Sequence, residues 1–142
     1  NSLMLLYYNN EEDTKNKLVN GWLNTGDVGY KDEDGDLYIL GRSDDMIIKA
    51  GMNIYPKEIE NYVDEIEGIK ECMAFPVEIS DGETKGIGLK VVCETDSLNS
   101  YEIMKEKICQ CLPKYALPNK IEFVNELPKN ISGKMLRRIE RL

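Results

Sequence analysis

The order of the apolar segments after Met46 constrains the fold of this chain most strongly. A strand-like run at 46–49 is followed by a helix that Pro56 opens, since proline is favoured in a first helical turn. The further expected elements are strands at about 70–79 and 87–93, a second helix, and a strand at 120–124. This order predicts an α+β fold, in which a small three-stranded sheet carries two helices on one face.

Helical spacing and breaker residues give the details of this prediction. The first helix is expected to bury Ile59, Tyr62, Val63 and Ile66 and to be terminated by Gly68. The second helix is expected to start at the cap Ser100, to bury Tyr101, Met104, Ile108, Cys111 and Leu112, and to stop at Pro113. A turn at Ser80-Asp81-Gly82 separates the two middle strands, and Ile121 and Phe123 share one face of the last strand.

The residues before Met46 show a different pattern of apolar and polar residues. The opening stretch to about Lys17 shows no firm periodicity and resembles the tail of a larger structure. Two short apolar runs, at 22–23 and 37–40, flank an acidic turn at 31–36, where Asp34-Gly35 supplies a hairpin turn. We therefore expect a β-hairpin here.

Composition excludes several classes of function. The 142 residues include no histidine, so histidine-based relays and histidine-bound metals are excluded. A net charge of −8 argues against general nucleic-acid binding, and no apolar run is long enough for a membrane span. The four cysteines form no paired CxxC motif, so we expect reduced, partly buried thiols, no metal site, and a cytoplasmic protein.

Asp27 is the last residue of the segment 21–27 (GWLNTGD), in which a carboxylate follows glycine at the end of an extended run. Such a carboxylate can accept two hydrogen bonds from a vicinal diol, and ribose is the commonest diol of this kind. The alternative is a turn aspartate that bonds its own backbone, and the spacing by itself favours that alternative.

Three further segments carry residues that packing does not require. Residues 40–45 (LGRSDD) set Arg42 beside two acids at the change in composition, which suits an interdomain joint or an ordinary surface ion pair. Residues 48–56 place Gly51 in a loop between strand and helix, where a thin ligand could approach the backbone, although the loop suits a plain connector equally. Residues 127–138 form a basic loop in which Gly133 and Lys134 present an amine able to reach a phosphate.

The order and spacing of these segments carry more information than any one of them. The motifs are GWxxTGD at 21–27, GRxDDxI at 41–47, GxNIYPxEIE at 51–60 and LPxxxSGKxxR at 127–137. Together they closely resemble the carboxy-terminal end of the AMP-forming acyl- and aryl-CoA synthetases, members of the adenylate-forming superfamily. The resemblance covers nearly the whole chain.

The resemblance implies a role for each motif residue. Asp27 would hold the ribose hydroxyls of ATP and AMP, Arg42 would assist it, and Asp44 would be the hinge. Lys134 would be the adenylation lysine, which bridges the α-phosphate and the substrate carboxylate. Gly51 would lie beside the pantetheine arm of CoA during thioester formation. An arginine and a lysine that some members carry at the positions of Asn53 and Ile48 are absent, so their roles are not transferred.

The resemblance also implies a domain organisation and a set of partners. Residues 1–43 would end a large N-terminal adenylation domain with a β-hairpin, residues 44–45 would form the hinge, and residues 46–142 would be a mobile C-terminal domain. The cofactors would be ATP and CoA, with Mg²⁺ held mainly by the N-terminal domain. That domain and a small carboxylic acid would be the partners, with fatty acid metabolism as the expected setting, and this chain by itself would be inactive.

Two other readings remain open. An adenylation domain that loads a carrier protein is less favoured, because residues 132–137 (SGKMLR) follow the style of the CoA ligases. A non-catalytic interaction domain on the same scaffold would not need Asp27, Arg42 and Lys134 together.

Overall fold

The computed structural model describes residues 3–79, 85–94, 101–137 and 140–141 of the chain. The helices are α1 (Glu11–Lys17), α2 (Pro56–Asp64) and α3 (Tyr101–Cys111). The strands are β1 (Leu18–Val19), β2 (Trp22–Leu23), β3 (Asp27–Lys31), β4 (Leu37–Arg42), β5 (Ile47–Lys49), β6 (Met52–Ile54), β7 (Ile69–Glu78), β8 (Lys85–Cys93), β9 (Lys120–Phe123) and β10 (Glu140–Arg141). They form two compact units, Asn1–Asp44 and Asp45–Leu142.

The first unit consists of α1 and two antiparallel hairpins, β1–β2 and β3–β4. The helix was not expected from periodicity. It forms because the Asn10 side chain accepts a hydrogen bond from the Asp13 N–H at 3.0 Å, and because three acids occupy its positive first turn. The acidic hairpin turn is confirmed, but its first strand is β3, since Trp22–Leu23 pairs with Leu18–Val19 instead.

The second unit is built on a sheet with strand order β10-β7-β8-β9. The long strands β7 and β8 are antiparallel, and β9 and β10 add to them in parallel. The α+β class is therefore confirmed, whereas the three-stranded sheet is wrong by one strand. The two residues of β10 show no alternating pattern, so only their pairing with Val77 and Glu78 identifies them as a strand.

Both long helices pack on one face of this sheet, as expected. Buried residues of the two helices, of the facing strands, of the β5–β6 hairpin and of the segment after α3 form a single cluster: Ile47, Ile54, Ile59, Val63, Ile69, Cys72, Ala74, Ile87, Leu89, Val91, Met104, Ile108, Leu112 and Ala116. Ile66 and Cys111 are only partly buried against it. Tyr62, predicted to be in the core, is 45% exposed, because helical spacing places it at the edge of the buried stripe.

The opposite face of the sheet carries a second, smaller cluster. It consists of Met73, Phe75, Val77, Val92 and Leu127, with Val124 and Met135 packed against it. Leu127 and Met135 belong to the segment after β9, so that segment covers the second face. The predicted turn at Ser80-Asp81-Gly82, the predicted cap Ser100, the side chain of Tyr101 and the basic residue Arg138 lie outside the described residues.

Candidate functional site

Asp27 and Arg42 face each other across the β3–β4 hairpin. They are partners in the strand register, and Arg42 Nη1 lies 3.5 Å from Asp27 Oδ1. The Arg42 Nη2 atom lies 3.7 Å from Asp44 Oδ2. The structure therefore brings together three of the five predicted site residues. The side chains of Asp27 and Arg42 remain 43% and 48% exposed, so the pair contributes at most about 1 kcal/mol to folding.

The turn that precedes Asp27 is held by its neighbours. Asn24 Oδ1 accepts a hydrogen bond from the Gly26 N–H at 3.0 Å, and Thr25 Oγ1 accepts one from the Asp27 N–H at 3.2 Å. The role of a turn aspartate is thus filled by Asn24 and Thr25. Among the described residues, the Asp27 carboxylate pairs with Arg42, and its side chain is partly exposed to solvent.

Gly26 brings the backbone of this turn against Arg42. A Cβ on Gly26 would lie 3.0 Å from Arg42 Nη2, and the guanidinium donates to the Thr25 carbonyl at 3.3 Å. Ser43 donates to the Gly26 carbonyl from both its backbone N–H, at 2.8 Å, and its hydroxyl, at 3.1 Å. Sequence reasoning missed Ser43, whose contribution depends on β3 and β4 pairing.

Asp44 and Asp45 stand at the division between the two compact units. The Asp44 carboxylate pairs within the first unit, with Arg42, whereas Asp45 Oδ2 lies 3.4 Å from Arg137 Nη1 in the second. Two adjacent acids thus have partners in different units. The hinge role of Asp44 stays a prediction.

Gly51 lies at the tip of a β-hairpin, whereas the sequence suggested a loop between a strand and a helix. Strands β5 and β6 pair with Lys49 opposite Met52, so Ala50 and Gly51 are the two turn residues. Their φ angles of 50° and 78° are those of a type I′ turn, in which both central residues are left-handed. A Cβ on Gly51 would meet no atom of the described residues within 4 Å, so the space beside it is open in this part of the structure.

Lys49 anchors this hairpin to the rest of the second unit. Its Nζ donates a hydrogen bond to the Leu117 carbonyl at 2.8 Å, and burial lowers the pKa of its amine. Lys49 therefore has a structural contact and does not replace the lysine that is missing at the exposed Ile48. Asn53, on β6, is also exposed.

Lys134 is exposed at the end of a tight turn. Lys129 and Met135 form a bridge, the Asn130 N–H donates to the Lys134 carbonyl at 2.9 Å, and Asn130 Oδ1 accepts from the Lys134 N–H at 2.8 Å. The Gly133 φ of 79° permits the reversal of the chain. Lys134 forms no ion pair with any residue of the described ranges.

Sequence reasoning missed a buried ion pair next to this turn. Arg137 Nη2 donates to Glu60 Oε1 at 2.8 Å and to Oε2 at 2.9 Å, and Glu60 is 2% exposed. Glu60 Oε1 also accepts from the Ala74 N–H at 3.0 Å. One signal was present in the sequence, because Glu60 shares the apolar face of α2 with Ile59 and Val63. A buried carboxylate requires a cationic partner.

The described residues hold no group of three or more acidic or cysteine side chains that could bind a metal ion. All four cysteines are free thiols, and burial raises the pKa of Cys72, Cys93 and Cys111. No helix in the described ranges is long and apolar enough to cross a membrane.

The chain is similar to known proteins over almost its whole length. It is 40% identical over 133 residues to a 2-succinylbenzoate-CoA ligase of Bacillus cereus, and 43% identical over 134 residues to one of Oceanobacillus iheyensis. These alignments cover 93% and 92% of the chain but only 27% of either relative. The chain thus spans about a quarter of the length of the curated relatives it matches.

A solved structure gives the same result. The o-succinylbenzoate CoA synthetase (MenE) from Bacillus subtilis, in complex with the acyl-adenylate intermediate OSB-AMP, aligns with a TM-score of 0.82 at 34% identity. The alignment covers 95% of this chain and 27% of that one. Another structure of the Bacillus subtilis enzyme contains ATP and a magnesium ion. The expected setting in fatty acid metabolism is not supported, because these relatives are named for 2-succinylbenzoate.

Residues 58–134 match the family described as the AMP-binding enzyme C-terminal domain. The match includes most of α2, the strands β7, β8 and β9, and the turn up to Lys134, and it extends over more than half of the chain. The predicted resemblance is therefore confirmed, and the chain belongs to the family of AMP-binding enzyme C-terminal domains.

Proposed function

We propose that this chain is the C-terminal part of an ATP-dependent, AMP-forming carboxylic acid-CoA ligase. Such an enzyme first joins the acid to AMP and then transfers the acyl group to the thiol of CoA. The observation that carries the proposal is the Lys134 amine, which is exposed on a hydrogen-bonded turn and is unpaired within the described part of the chain. A lysine placed in this way is available for a ligand outside its own unit.

Lys134 would act in the first step, in which the acid attacks the α-phosphate of ATP. The carboxylate and the phosphate repel each other, so an ammonium group between them lowers the electrostatic cost of their approach. It also stabilises negative charge that develops on the phosphoryl oxygens. The effect is strongest when water is excluded, which the rest of the enzyme would have to achieve.

Asp27 and Arg42 would bind the ribose of ATP and AMP. The Asp27 carboxylate is partly exposed and lies 3.5 Å from Arg42, which fixes its orientation without burying it. Two adjacent hydroxyls of a ribose can donate to such a carboxylate. Mg²⁺ would accompany ATP and be held mainly by residues outside this chain.

Gly51 would lie beside the pantetheine arm of CoA in the second step. The open space around its α-carbon allows a narrow chain to lie against the hairpin, and a side chain would obstruct that approach. The left-handed φ of Gly51 independently favours glycine at this position.

We further propose that residues 1–43 end a larger N-terminal domain, with a hinge at residues 44–45 and a mobile domain from residue 46 to 142. Among the described residues of the first unit, only Gly26 is buried. Large apolar side chains such as Trp22, Leu37 and Ile39 are exposed there. An apolar surface of this kind requires cover from another part of the protein.

The relatives suggest 2-succinylbenzoate as the acid, and the free thiols suit a reducing cytoplasm. The acid pocket would lie outside this chain, so its identity is to be tested with a panel of acids. An enzyme that loads a carrier protein would form the adenylate but would not transfer the acyl group to free CoA. A non-catalytic domain would do neither.

The test is Lys134→Ala in the full-length enzyme, with both half-reactions measured. The rate of adenylation, measured by pyrophosphate exchange, should fall by about 10²- to 10³-fold, which is the range for the loss of one preorganised electrostatic contact. Thioester formation from supplied acyl-adenylate and CoA should stay close to that of the unaltered enzyme. Lys107→Ala, which removes an exposed lysine on α3, is the matched control and should leave both rates unchanged.

Two outcomes would contradict the proposal. Equal loss of both half-reactions in Lys134→Ala would show that the lysine has no special role in adenylation. Pyrophosphate exchange by the 142-residue chain alone would contradict the dependence on a larger N-terminal domain.

A further inference from the structure

We propose that the Glu60–Arg137 ion pair is a positioning device that fixes the orientation of the Lys134 turn on the sheet. The proposal rests on the adenylation role proposed for Lys134. Arg137 would be a positioning residue, since it acts on the lysine through the backbone and has no contact with substrate.

The Arg137 side chain joins the end of the turn to α2 and β7. Its guanidinium holds both carboxylate oxygens of Glu60, at 2.8 and 2.9 Å, and the same carboxylate accepts the N–H of Ala74 on β7 at 3.0 Å. Arg137 Nη1 lies 3.4 Å from Asp45 Oδ2. A planar guanidinium bound at two atoms to a fixed carboxylate has little rotational freedom.

The turn has two arms, residues 127–129 before it and residues 135–137 after it, and the first arm is fixed in a comparable way. Lys129, which bridges to Met135, forms an ion pair with Glu71 on β7. Met135 packs against the second apolar cluster, and Leu127 is buried in it. Both arms are therefore tied to the sheet or to α2.

The tip of the turn has a different environment. Ile131, Ser132, Gly133 and Lys134 are exposed, and the hydrogen bonds at the tip join residues of the turn to one another. Lys134 is three residues from Arg137, a span of at most about 10 Å. The position of its amine therefore depends on how firmly the arms are held.

Stability by itself does not explain this pair. Glu60 is 2% exposed and the Arg137 side chain is 19% exposed, so both charges are largely removed from water. Arg137 Nε is also buried without a hydrogen-bond partner in the described structure. Apolar residues of similar volume often stabilise a protein as well as a buried ion pair does, so we assign this pair a role in orientation.

The double variant Glu60→Gln/Arg137→Met in the full-length enzyme tests the proposal. The side-chain carbonyl of the glutamine can still accept the Ala74 N–H, and neither charge of the Glu60–Arg137 pair is left without its partner. The Asp45 carboxylate loses its contact with Arg137, but its side chain is 26% exposed and stays in contact with water. The protein should therefore fold with a melting temperature close to that of the unaltered enzyme. Adenylation should fall by about 10- to 100-fold, because small displacements of a catalytic group cost up to about 10²-fold. Thioester formation from supplied acyl-adenylate should stay unchanged.

Proteolysis supplies a readout that does not depend on activity. The endoproteinase Lys-C should cut after Lys134 several-fold faster in the double variant than in the unaltered protein, because a loosened turn enters the protease more readily. Tyr115→Phe is the matched control: it removes the 3.0 Å hydrogen bond from Tyr115 to Glu58 on the same helix without touching the turn. It should change neither adenylation nor cleavage at Lys134.

An adenylation rate equal to that of the unaltered enzyme in a folded double variant would overturn the proposal, as would an unchanged rate of cleavage. If the double variant melts early, Arg137→Lys keeps both charges of the pair but loses the planar guanidinium that holds both oxygens of Glu60. It should show the same selective loss of adenylation to a smaller extent. If Lys134 has no role in adenylation, Lys134→Ala retains its adenylation rate whether or not the Glu60–Arg137 pair is present. This result distinguishes a failure of the proposed function from a failure of the positioning proposal.

Discussion

Gly88 on β8 lies directly against the ring of Phe75, and no larger residue fits between them. A Cβ on Gly88 would lie 2.4 Å from Phe75 Cζ, and both residues are buried. We expect Gly88→Ala to lower the free energy of unfolding by about 1–3 kcal/mol, the usual cost of an overpacked core. Urea denaturation monitored by circular dichroism measures this loss.

The double variant Phe75→Leu/Gly88→Ala is the control. A smaller side chain at position 75 makes room for the new methyl group, so the two substitutions together should cost less than the sum of their separate effects. Strict additivity would show that the Phe75 ring is not what Gly88→Ala displaces.

Cys72 makes the stability of the protein depend on pH in the alkaline range. The thiol is 1% exposed, and burial raises its pKa above the ordinary value of 9.0, with Asp64 contributing in the same direction. The folded state therefore favours the protonated thiol, so its contribution to stability is complete below pH 9 and falls as the pH rises further. The free energy of unfolding should decrease by up to about 1.4 kcal/mol per pH unit from this group.

Urea denaturation between about pH 7 and pH 10.5 checks this dependence, with Cys72→Ala as the comparison. Cys72→Ala should have a lower free energy of unfolding at neutral pH, because the substitution leaves a cavity. Above about pH 9 its free energy of unfolding should fall less steeply with pH, because the contribution of the Cys72 thiol is absent. Parallel declines in the two proteins would assign the alkaline loss to other groups, such as Cys93 and Cys111, whose pKa values are also raised.

At the level of elements, the β5–β6 hairpin carries a residue that its turn disfavours. Ala50 has a φ of 50°, in the left-handed region that costs a residue with a Cβ about 1 kcal/mol, whereas Asn-Gly is the preferred pair for a type I′ turn. Ala50→Asn should therefore raise the free energy of unfolding by about 0.5–1 kcal/mol, measured by urea denaturation.

Ala50→Val is the opposite control for this turn. A β-branched side chain tolerates the left-handed region poorly, so this variant should be less stable than the unaltered chain. The prediction fails if asparagine and valine shift the denaturation midpoint in the same direction.

At the level of the whole molecule, the two compact units differ in how much apolar surface they bury. The second unit has two apolar clusters, whereas the first buries no apolar side chain in its described part. Hydrogen exchange of the 142-residue chain should therefore be fast in residues 3–44. Amides of β7 and β8 should exchange at least about a thousand-fold more slowly.

A fragment that begins at Asp45 is the control for this experiment. Because the second unit contains its own core, the fragment should keep the slow exchange of β7 and β8. Comparable protection in residues 3–44 of the longer chain would contradict this view of the first unit.

Local pattern was sufficient for most elements of the second unit. Apolar spacing, Pro56 and Pro113 identified α2 and α3, and runs of β-branched and apolar residues identified β7, β8 and β9. Of the site, the motifs singled out Asp27, Arg42, Asp44, Gly51 and Lys134, and the structure brings the first three together. Their functional roles stay predictions.

The sequence by itself determined the α+β class, the family and the elements whose signals come from residues close together in the chain. Only the tertiary structure decided the partner of Trp22–Leu23, the two-residue strand β10, and the pairing of Glu60 with Arg137 across 77 positions. The physical reason is that periodicity and capping report on neighbours within a turn or two of chain. The partner of a buried charge or of a short strand is set by which distant segments pack together.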